Sequence, residues 1–139
     1  MQRNVKALFN SDFELCWTNK DRRKKLFEIP WTGCINKEKG ETRLHPTQKP
    51  IQLILEFINE WGNKKNLILD YFLGSGSTLI ACEKTNRQCF GMELDEHYCS
   101  VIIQRYIDFV GGSSKVLLTS NDGDKTLEEV FKMRDKKGI

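Results

Sequence analysis

The segment Leu67 to Thr78, which reads LILDYFLGSGST, constrains the fold more than any other part of the chain. An apolar run closes on Asp70 and then breaks into Gly74, Ser75 and Gly76. A short apolar run bounded by glycines is typical of a buried strand that turns sharply into a helix. Ligands of open α/β sheets bind at the carboxyl ends of such strands, so the segment predicts a strand, a helix and a binding site between them.

The flanking segments predict alternating helices and strands. An amphipathic helix is expected from Pro50, at the first helical position, to near Gly62, because apolar residues recur at i, i+3, i+4 and i+7 as Ile51, Ile54, Leu55 and Ile58. The other expected elements are strands over 13–17, 67–71, 88–93 and 116–119, helices over 77–84, 97–109 and 127–133, and mostly loop over 18–45. The order strand, helix, strand predicts parallel strands joined by a right-handed crossover. The fold class is therefore α/β and Rossmann-like.

Length and composition set the broad class. The 139 residues, 39% of them hydrophobic, suit one domain with a core, and the formal charge of +3 is too small to prove a polyanionic partner. The five cysteines are odd in number and include no C-x-x-C pair, which indicates reduced thiols. The sequence shows neither a signal peptide nor an apolar run of about 18 residues, as a membrane span requires. We expect a soluble, cytoplasmic protein.

An acidic residue follows the glycine turn at the sequence separation expected for a ribose-binding carboxylate. Glu93 closes the second strand 23 residues after Asp70. This is close to the roughly 20 residues at which a carboxylate meets ribose hydroxyls in doubly wound folds. A tight connection between strand and helix, with Glu93 on the surface, is the alternative that the residues alone leave open.

Other interpretations of the same residues fail on spacing. A P-loop requires Lys directly after its second glycine, but none follows Gly76 until Lys84. The residues around Ser75 do not give the Gly-x-Ser-x-Gly of a nucleophile elbow. The gaps between Cys82, Cys89 and their neighbours match no common zinc site, so we assign no metal ligand.

Three strings together resemble a known family. They are RLHPTQKP at 43–50, LDYFLGSGST at 69–78 and GMELDEHY at 91–98. In this order they resemble the C-terminal, cofactor-binding half of the beta-class DNA amino-methyltransferases, over 13 to about 106. The resemblance implies an incomplete methyltransferase fold that uses S-adenosylmethionine to methylate the exocyclic amine of adenine or cytosine in double-stranded DNA. Adenine, the commoner target, is the expected base.

The resemblance also implies roles for individual residues. Lys49 would offset the charge of the cofactor's carboxylate, Asp70 would suit its ammonium group, Glu93 would hold the ribose and Leu94 would lie beside the adenine. Tyr71 departs from the family, which usually has Pro there. The implied cofactor-binding residues are His45, Thr47, Gln48, Lys49, Asp70, Phe72, Gly74, Ser75, Gly76, Ser77, Glu93 and Leu94.

The catalytic motif implied by the resemblance is absent from this sequence. The family uses Asp, Asn or Ser followed by Pro-Pro and an aromatic residue to hold the flipped base and its amine. This sequence has only Pro30, Pro46 and Pro50, and no two are adjacent. We therefore assign no catalytic residue and expect the chain to be inactive alone. The missing strands would leave an apolar edge, so we expect self-association or pairing with an N-terminal catalytic half.

A single partial domain is expected, with 18–45 as loop and remnant of target recognition, 46–110 as cofactor-binding core and 111–139 as a C-terminal extension. The basic run Lys20, Arg22, Arg23, Lys24 and Lys25 lies where the family places part of its target-recognition region and would contact DNA phosphates. A solvated surface is the alternative.

Two other functions are alternatives to the cofactor-binding half of a methyltransferase. One is a non-catalytic module that binds S-adenosylmethionine or DNA, or the subunit of a split methyltransferase. The other is a Rossmann-like binder of another nucleotide, which the string at 43–50 disfavours.

Overall fold

Two parallel strands joined by a helix form the centre of the fold in the computed structural model, which describes residues 15–19, 25–29, 48–121 and 123–137. Strand β1 (Ile68–Asp70) pairs with β2 (Cys89–Gly91), and helix α2 (Ser77–Lys84) connects them. The other elements are α1 (Ile51–Trp61), α3 (Glu96–Val110), a 3-10 turn (Ser113–Lys115), β3 (Leu117–Ser120), β4 (Gly123–Thr126) and α4 (Leu127–Lys137). The α/β prediction is confirmed, with α2 at the predicted bounds.

One face of the parallel pair carries the core. Ile68 of β1 and Cys89 of β2 pack against a buried cluster from α1 and α2, whose members are Ile51, Ile58, Ile80, Ala81 and Cys82. Side chains alternate between the faces of a strand, so Leu69 and its register partner Phe90 point the other way. They are 58% and 59% exposed. The prediction that 67–71 is a buried strand is therefore wrong for this face, because the helices cover only the opposite one.

Helix α1 begins one residue later than predicted. Pro50 has an extended ψ of 140° and is the N-cap rather than the first helical residue. The helix ends as predicted at Gly62, whose N–H donates to the carbonyl of Ile58 at 3.0 Å. Phe27, from the segment 25–29, packs edge-on against Phe57 of α1, with ring centroids 5.2 Å apart. This segment lies as irregular chain on α1, in agreement with the loop predicted there.

The strand predicted over 13–17 is wrong for its described part. Residues 15–17 form no strand, and the side chains of Leu15 and Trp17 are exposed. A strand is stabilised by pairing and by burial of one face, and within the described ranges this segment has neither. Phe13 and Glu14 lie outside those ranges.

Helix α3 has clear signals at both ends. The Asp95 carboxylate accepts the N–H groups of His97 and Tyr98 at 2.8 and 3.3 Å, which satisfies donors of the first turn. Gly111 ends the helix in the left-handed conformation with φ of 79°, as its sequence position predicts. The helix therefore begins at Glu96, two residues after Leu94 and directly after its N-cap Asp95.

An antiparallel hairpin and α4 follow α3. Strand β3 pairs with β4 from Leu117↔Thr126 to Ser120↔Gly123. Thr126 Oγ1 accepts the N–H of Glu129 at 3.2 Å, while the Glu129 carboxylate accepts the Thr126 N–H at 2.7 Å, a reciprocal capping box. The sequence predicted β3 and α4 but not β4.

Candidate cofactor site

The loop after β1 curls tightly through two glycines. Gly74 and Gly76 have φ of 57° and 80°, the left-handed region in which a Cβ is unfavourable. The Gly76 N–H donates to the carbonyl of Leu73 at 2.9 Å. A Cβ at Gly76 would lie 3.3 Å from Cγ2 of Ile102 on α3. Two independent constraints, the backbone conformation and the close packing of α3, therefore explain why residue 76 is glycine.

Glu93 links this turn to the end of β2. One carboxylate oxygen, Oε2, accepts the N–H of Gly74 at 2.8 Å. The other, Oε1, accepts the N–H groups of Leu94 at 2.9 Å and Asp95 at 3.0 Å. Backbone donors at Asp95, then Gly74 and Leu94, lower the pKa of Glu93 below its ordinary 4.5. The side chain is therefore a fixed anion at neutral pH, and Oε2 keeps acceptor capacity for a ligand hydroxyl.

Asp70 places a second carboxylate at the same edge. It is the last residue of β1 and pairs in register with Gly91, and its Oδ1 accepts the N–H of Phe72 at 3.1 Å. The ladder continues past both strands, since the Met92 N–H donates to the Asp70 carbonyl at 2.9 Å. Because β1 and β2 are parallel, Asp70 and Glu93 both lie at the carboxyl end of the sheet, where ligands of α/β folds bind.

Arg105 of α3 supports the turn from behind, and the sequence analysis missed it. The side chain is 8% exposed, and Nη1 donates to the Ser75 carbonyl at 2.9 Å and lies 3.2 Å from the hydroxyls of both Ser75 and Ser77. The signal that was available is its position three residues after Ile102, on the apolar face of α3. A charged residue on such a face is costly to bury unless its hydrogen bonds are satisfied.

The segment before α1 joins the same network. The Ser77 hydroxyl donates to the backbone carbonyl of Lys49 at 2.8 Å. Gln48 is buried, whereas the Lys49 side chain is exposed. The loop at 48–50 and the glycine turn are thus held together, as the predicted site requires. His45 and Thr47 lie outside the described residues.

Two apolar members of the predicted site are open to solvent. Phe72 is 90% exposed and Leu94 is 101% exposed, and each neighbours one of the strand-end carboxylates in sequence. Exposed side chains of this size beside charged groups are free to cover a ligand with an apolar ring system.

The predicted DNA-contacting residues are mostly outside the described ranges, namely Lys20, Arg22, Arg23 and Lys24. Lys25 is described, and its ammonium forms an ion pair with Glu60 of α1 and lies 5.3 Å from the centroid of the Phe27 ring. A DNA phosphate would have to compete with Glu60 for this cation.

Two features are absent from the described residues, a metal-binding cluster and a membrane-spanning helix. No group of three or more His, Cys, Asp or Glu residues in these ranges is placed to hold a metal ion. Among the helices described, none has the length and apolar character needed to cross a membrane.

A parallel strand pair with a glycine turn between acidic strand ends is typical of α/β domains that bind a ligand at the carboxyl ends of their strands. Residues 2–105 match the DNA methylase family, and the chain belongs to that family. The expected resemblance is confirmed.

The chain is also similar to individual proteins and to solved structures. The chain is 34% identical over 98 residues to the type II methyltransferase M2.MboI of Moraxella bovis, covering 70% of this chain and 35% of that protein. It is 39% identical over 76 residues to the putative methylase YubD of Escherichia coli K12, covering 55% and 34%. The M1.HpyAVI–SAM complex is similar with a TM-score of 0.45 and 32% identity, over 60% of this chain and 41% of that one. The chain thus spans about a third of the length of the first two relatives.

Proposed function

We propose that this chain binds S-adenosylmethionine as the cofactor-binding part of a site-specific DNA amino-methyltransferase, with adenine as the expected base. The observation that carries the proposal is the Glu93 carboxylate, which follows β2 and accepts the N–H of Gly74 in the turn after β1, while the N–H of Asp95 and then that of Gly74 lower its pKa. This hydrogen bond joins the carboxylate expected to bind the ribose to the turn expected to hold the rest of the cofactor. The names of the family and its relatives supply the reaction class.

The residues fit the cofactor in charge and shape. Glu93 is assigned to the ribose hydroxyls and Asp70 to the ammonium group, because carboxylates accept hydrogen bonds from both. Lys49 and the first N–H groups of α2 are assigned to the carboxylate, since an exposed cation and a helix N-terminus both favour an anion. When bound, the cofactor supplies an electrophilic methyl group on a sulfonium. Phe72 and Leu94 are assigned to its apolar surface, and His45, Thr47 and Gln48 to the wall of the site.

Calorimetric titration with S-adenosylmethionine tests this assignment. We expect saturable binding to the wild-type chain and its loss in Asp70→Ala. Asp124→Ala is the matched control, since it removes an exposed carboxylate from β4, in the hairpin, and should leave binding unchanged. Binding that survives in Asp70→Ala, or no binding to the wild-type chain, would contradict the proposal.

Methyl transfer is assigned to a complete enzyme that includes a Pro-Pro-aromatic motif. We expect the chain alone to transfer no methyl group to DNA and to do so when combined with a polypeptide that supplies the motif. Methylation of DNA by the chain alone would refute this part of the proposal. The runner-up, a non-catalytic module, predicts binding of S-adenosylmethionine or DNA with no activity in either case, whereas a subunit of a split methyltransferase predicts activity only in the combination.

The exposed face of β1 and β2 is the proposed docking surface for that catalytic half or for a second copy. Leu69 and Phe90 lie side by side on it, and an uncovered apolar sheet face favours association. Sedimentation should show self-association at micromolar concentration that Phe90→Glu abolishes. Leu118→Glu, on the separate hairpin, is the control and should not affect it. A wild-type monomer that also fails to bind the catalytic half would exclude this surface.

DNA contact is proposed for the basic run at 20–25. In the complete enzyme, replacing Arg22 and Arg23 by Ala should weaken binding and reduce its salt dependence, because fewer counterions are released. Unchanged affinity and salt slope would exclude the run. If Glu60 competes with phosphate for Lys25, Glu60→Gln should tighten binding.

The division into loop at 18–45, core at 46–110 and extension at 111–139 remains part of the proposal, as does a cytoplasmic location. The free thiols of Cys16, Cys82, Cys89 and Cys99 fit a reducing compartment.

A further inference from the structure

We propose that Arg105 is a positioning residue for the methionine end of the cofactor. Acting from α3, it holds the glycine turn in its binding conformation and places a positive charge behind the helix end that faces the cofactor's carboxylate. The inference rests on the proposed function and adds a residue that the sequence motifs do not include.

The hydrogen bonds of Arg105 join α3 to the glycine turn and, through Ser77, to the loop before α1. Its guanidinium contacts the Ser75 carbonyl and the hydroxyls of Ser75 and Ser77. The Ser77 hydroxyl uses its proton to bind the Lys49 carbonyl, so it accepts from Arg105. One side chain therefore connects α3, the N-terminus of α2 and the loop before α1. The turn cannot shift without breaking several of these bonds.

Burial makes this arrangement unusual for a residue with a purely structural role. A guanidinium that is 8% exposed loses most of its hydration, and an apolar side chain would fill the same space without that cost. Arg105 contacts the carbonyl and hydroxyl oxygens of Ser75 in the turn and the hydroxyl of Ser77, where the turn enters α2. These contacts fix this turn in particular rather than the packing of α3 in general.

The position of the Arg105 charge relative to α2 also favours a bound anion. The N-terminal end of a helix carries partial positive charge, and cations are normally favoured at the other end. Arg105 lies at Ser75 and Ser77, where α2 begins. It adds to the positive potential there, which is unfavourable for the isolated fold and favourable for a bound anion. The carboxylate of the cofactor is such an anion, whereas the adenosine part carries none.

This difference gives a readout that a general structural role would not produce. Binding of S-adenosylmethionine is compared with binding of 5′-methylthioadenosine, which lacks the amino acid end. We expect Arg105→Gln to weaken S-adenosylmethionine binding by about tenfold, the factor that corresponds to about 1.4 kcal/mol. Binding of 5′-methylthioadenosine should be unchanged. Arg105→Lys, which keeps the charge, should recover much of the lost affinity.

Arg87→Gln is the matched control. Arg87 also bonds a backbone carbonyl, that of Asn63, but it does so at the end of α2 remote from the turn. Its replacement should affect neither ligand. Equal weakening of both ligands in Arg105→Gln, or unchanged binding of S-adenosylmethionine, would overturn the inference.

A measurement without ligand separates this inference from the proposed function. Hydrogen exchange of the Gly76 amide, which bonds Leu73, should accelerate in Arg105→Gln, whereas the Leu127 amide, which bonds Val116, should not change. Unchanged Gly76 exchange would overturn the positioning role whether or not the ligand binds. Faster exchange together with no S-adenosylmethionine binding to the wild-type chain would support the positioning of the turn and overturn the function proposed for it.

Discussion

Replacing Gly76 by Ala tests the account of the turn, because two separate costs can be worked out from the structure. Gly76 has φ of 80°, and a left-handed conformation costs a residue with a Cβ about 1–2 kcal/mol. The new Cβ would also lie 3.3 Å from Cγ2 of Ile102, tighter than an ordinary contact. Overpacking costs about 1–3 kcal/mol, and a displacement of a few tenths of an ångström belongs at the low end of that range.

Gly111 provides a control with nearly the same backbone conformation. Its φ is 79°, and a Cβ there would meet no atom within 4 Å. Gly111→Ala therefore has the conformational cost alone. Both substitutions gain about 0.4–1 kcal/mol from the restricted unfolded chain, so this term cancels in the comparison. We expect Gly76→Ala to be more destabilising than Gly111→Ala by about 1 kcal/mol.

Urea unfolding of both variants measures this difference, and a double-mutant cycle identifies its source. Ile102→Ala removes the side-chain atoms that approach Gly76, so its cost and that of Gly76→Ala should add to more than the cost of the double variant. Equal destabilisation by the two glycine substitutions, or strict additivity in the cycle, would refute the reasoning. Of the two glycine substitutions, only Gly76→Ala should weaken S-adenosylmethionine binding, because Gly76 lies in the turn and Gly111 is remote from it.

Three further predictions concern other parts of the chain. Thr126→Ala should lower the free energy of unfolding by about 1 kcal/mol in urea titrations, because it removes the hydroxyl that accepts the Glu129 N–H; an unchanged midpoint would exclude that role. The lowered pKa of Glu93 contributes stability above pH 4.5 that is lost as pH falls through the folded-state pKa, so Glu93→Gln should flatten the acid limb of a stability–pH profile, and an unchanged limb would contradict this. Burial first, and then Cys89, raises the pKa of Cys82 to about 12, so iodoacetamide at neutral pH should modify exposed Cys16 and spare Cys82 in the folded chain; equal rates would be inconsistent with the structure.

The sequence predicted the elements whose local signals agree with their packing. Helix α2 has the predicted bounds, and α3 ends at Gly111 because a left-handed residue is required there. The parallel pairing of β1 and β2 follows from the strand–helix–strand order. These features depend on periodicity, glycines and caps, all of which are visible in the residues.

Other features depend on contacts between distant residues. Arg105 has no motif, and its role appears only when α3 is packed behind the turn. The exposure of Leu69 depends on which sheet face the helices cover, and strand periodicity alone does not decide that. Strand β4 lacks an apolar alternation, and only its antiparallel pairing with β3 identifies it as a strand. The observed start of α1, at Ile51, is one residue later than predicted, because the proline ring of Pro50 is compatible with both the N-cap and the first helical position.

The most direct test of the central claim is a titration of the isotopically labelled chain with S-adenosylmethionine, followed by amide chemical shifts. We expect saturable shifts confined to 45–49, 70–78 and 93–95, which are the segment before α1, the two strand ends and their turn, with the hairpin at 117–126 unaffected. No shifts, or shifts concentrated in the hairpin, would contradict the assignment of the cofactor site to the carboxyl ends of β1 and β2.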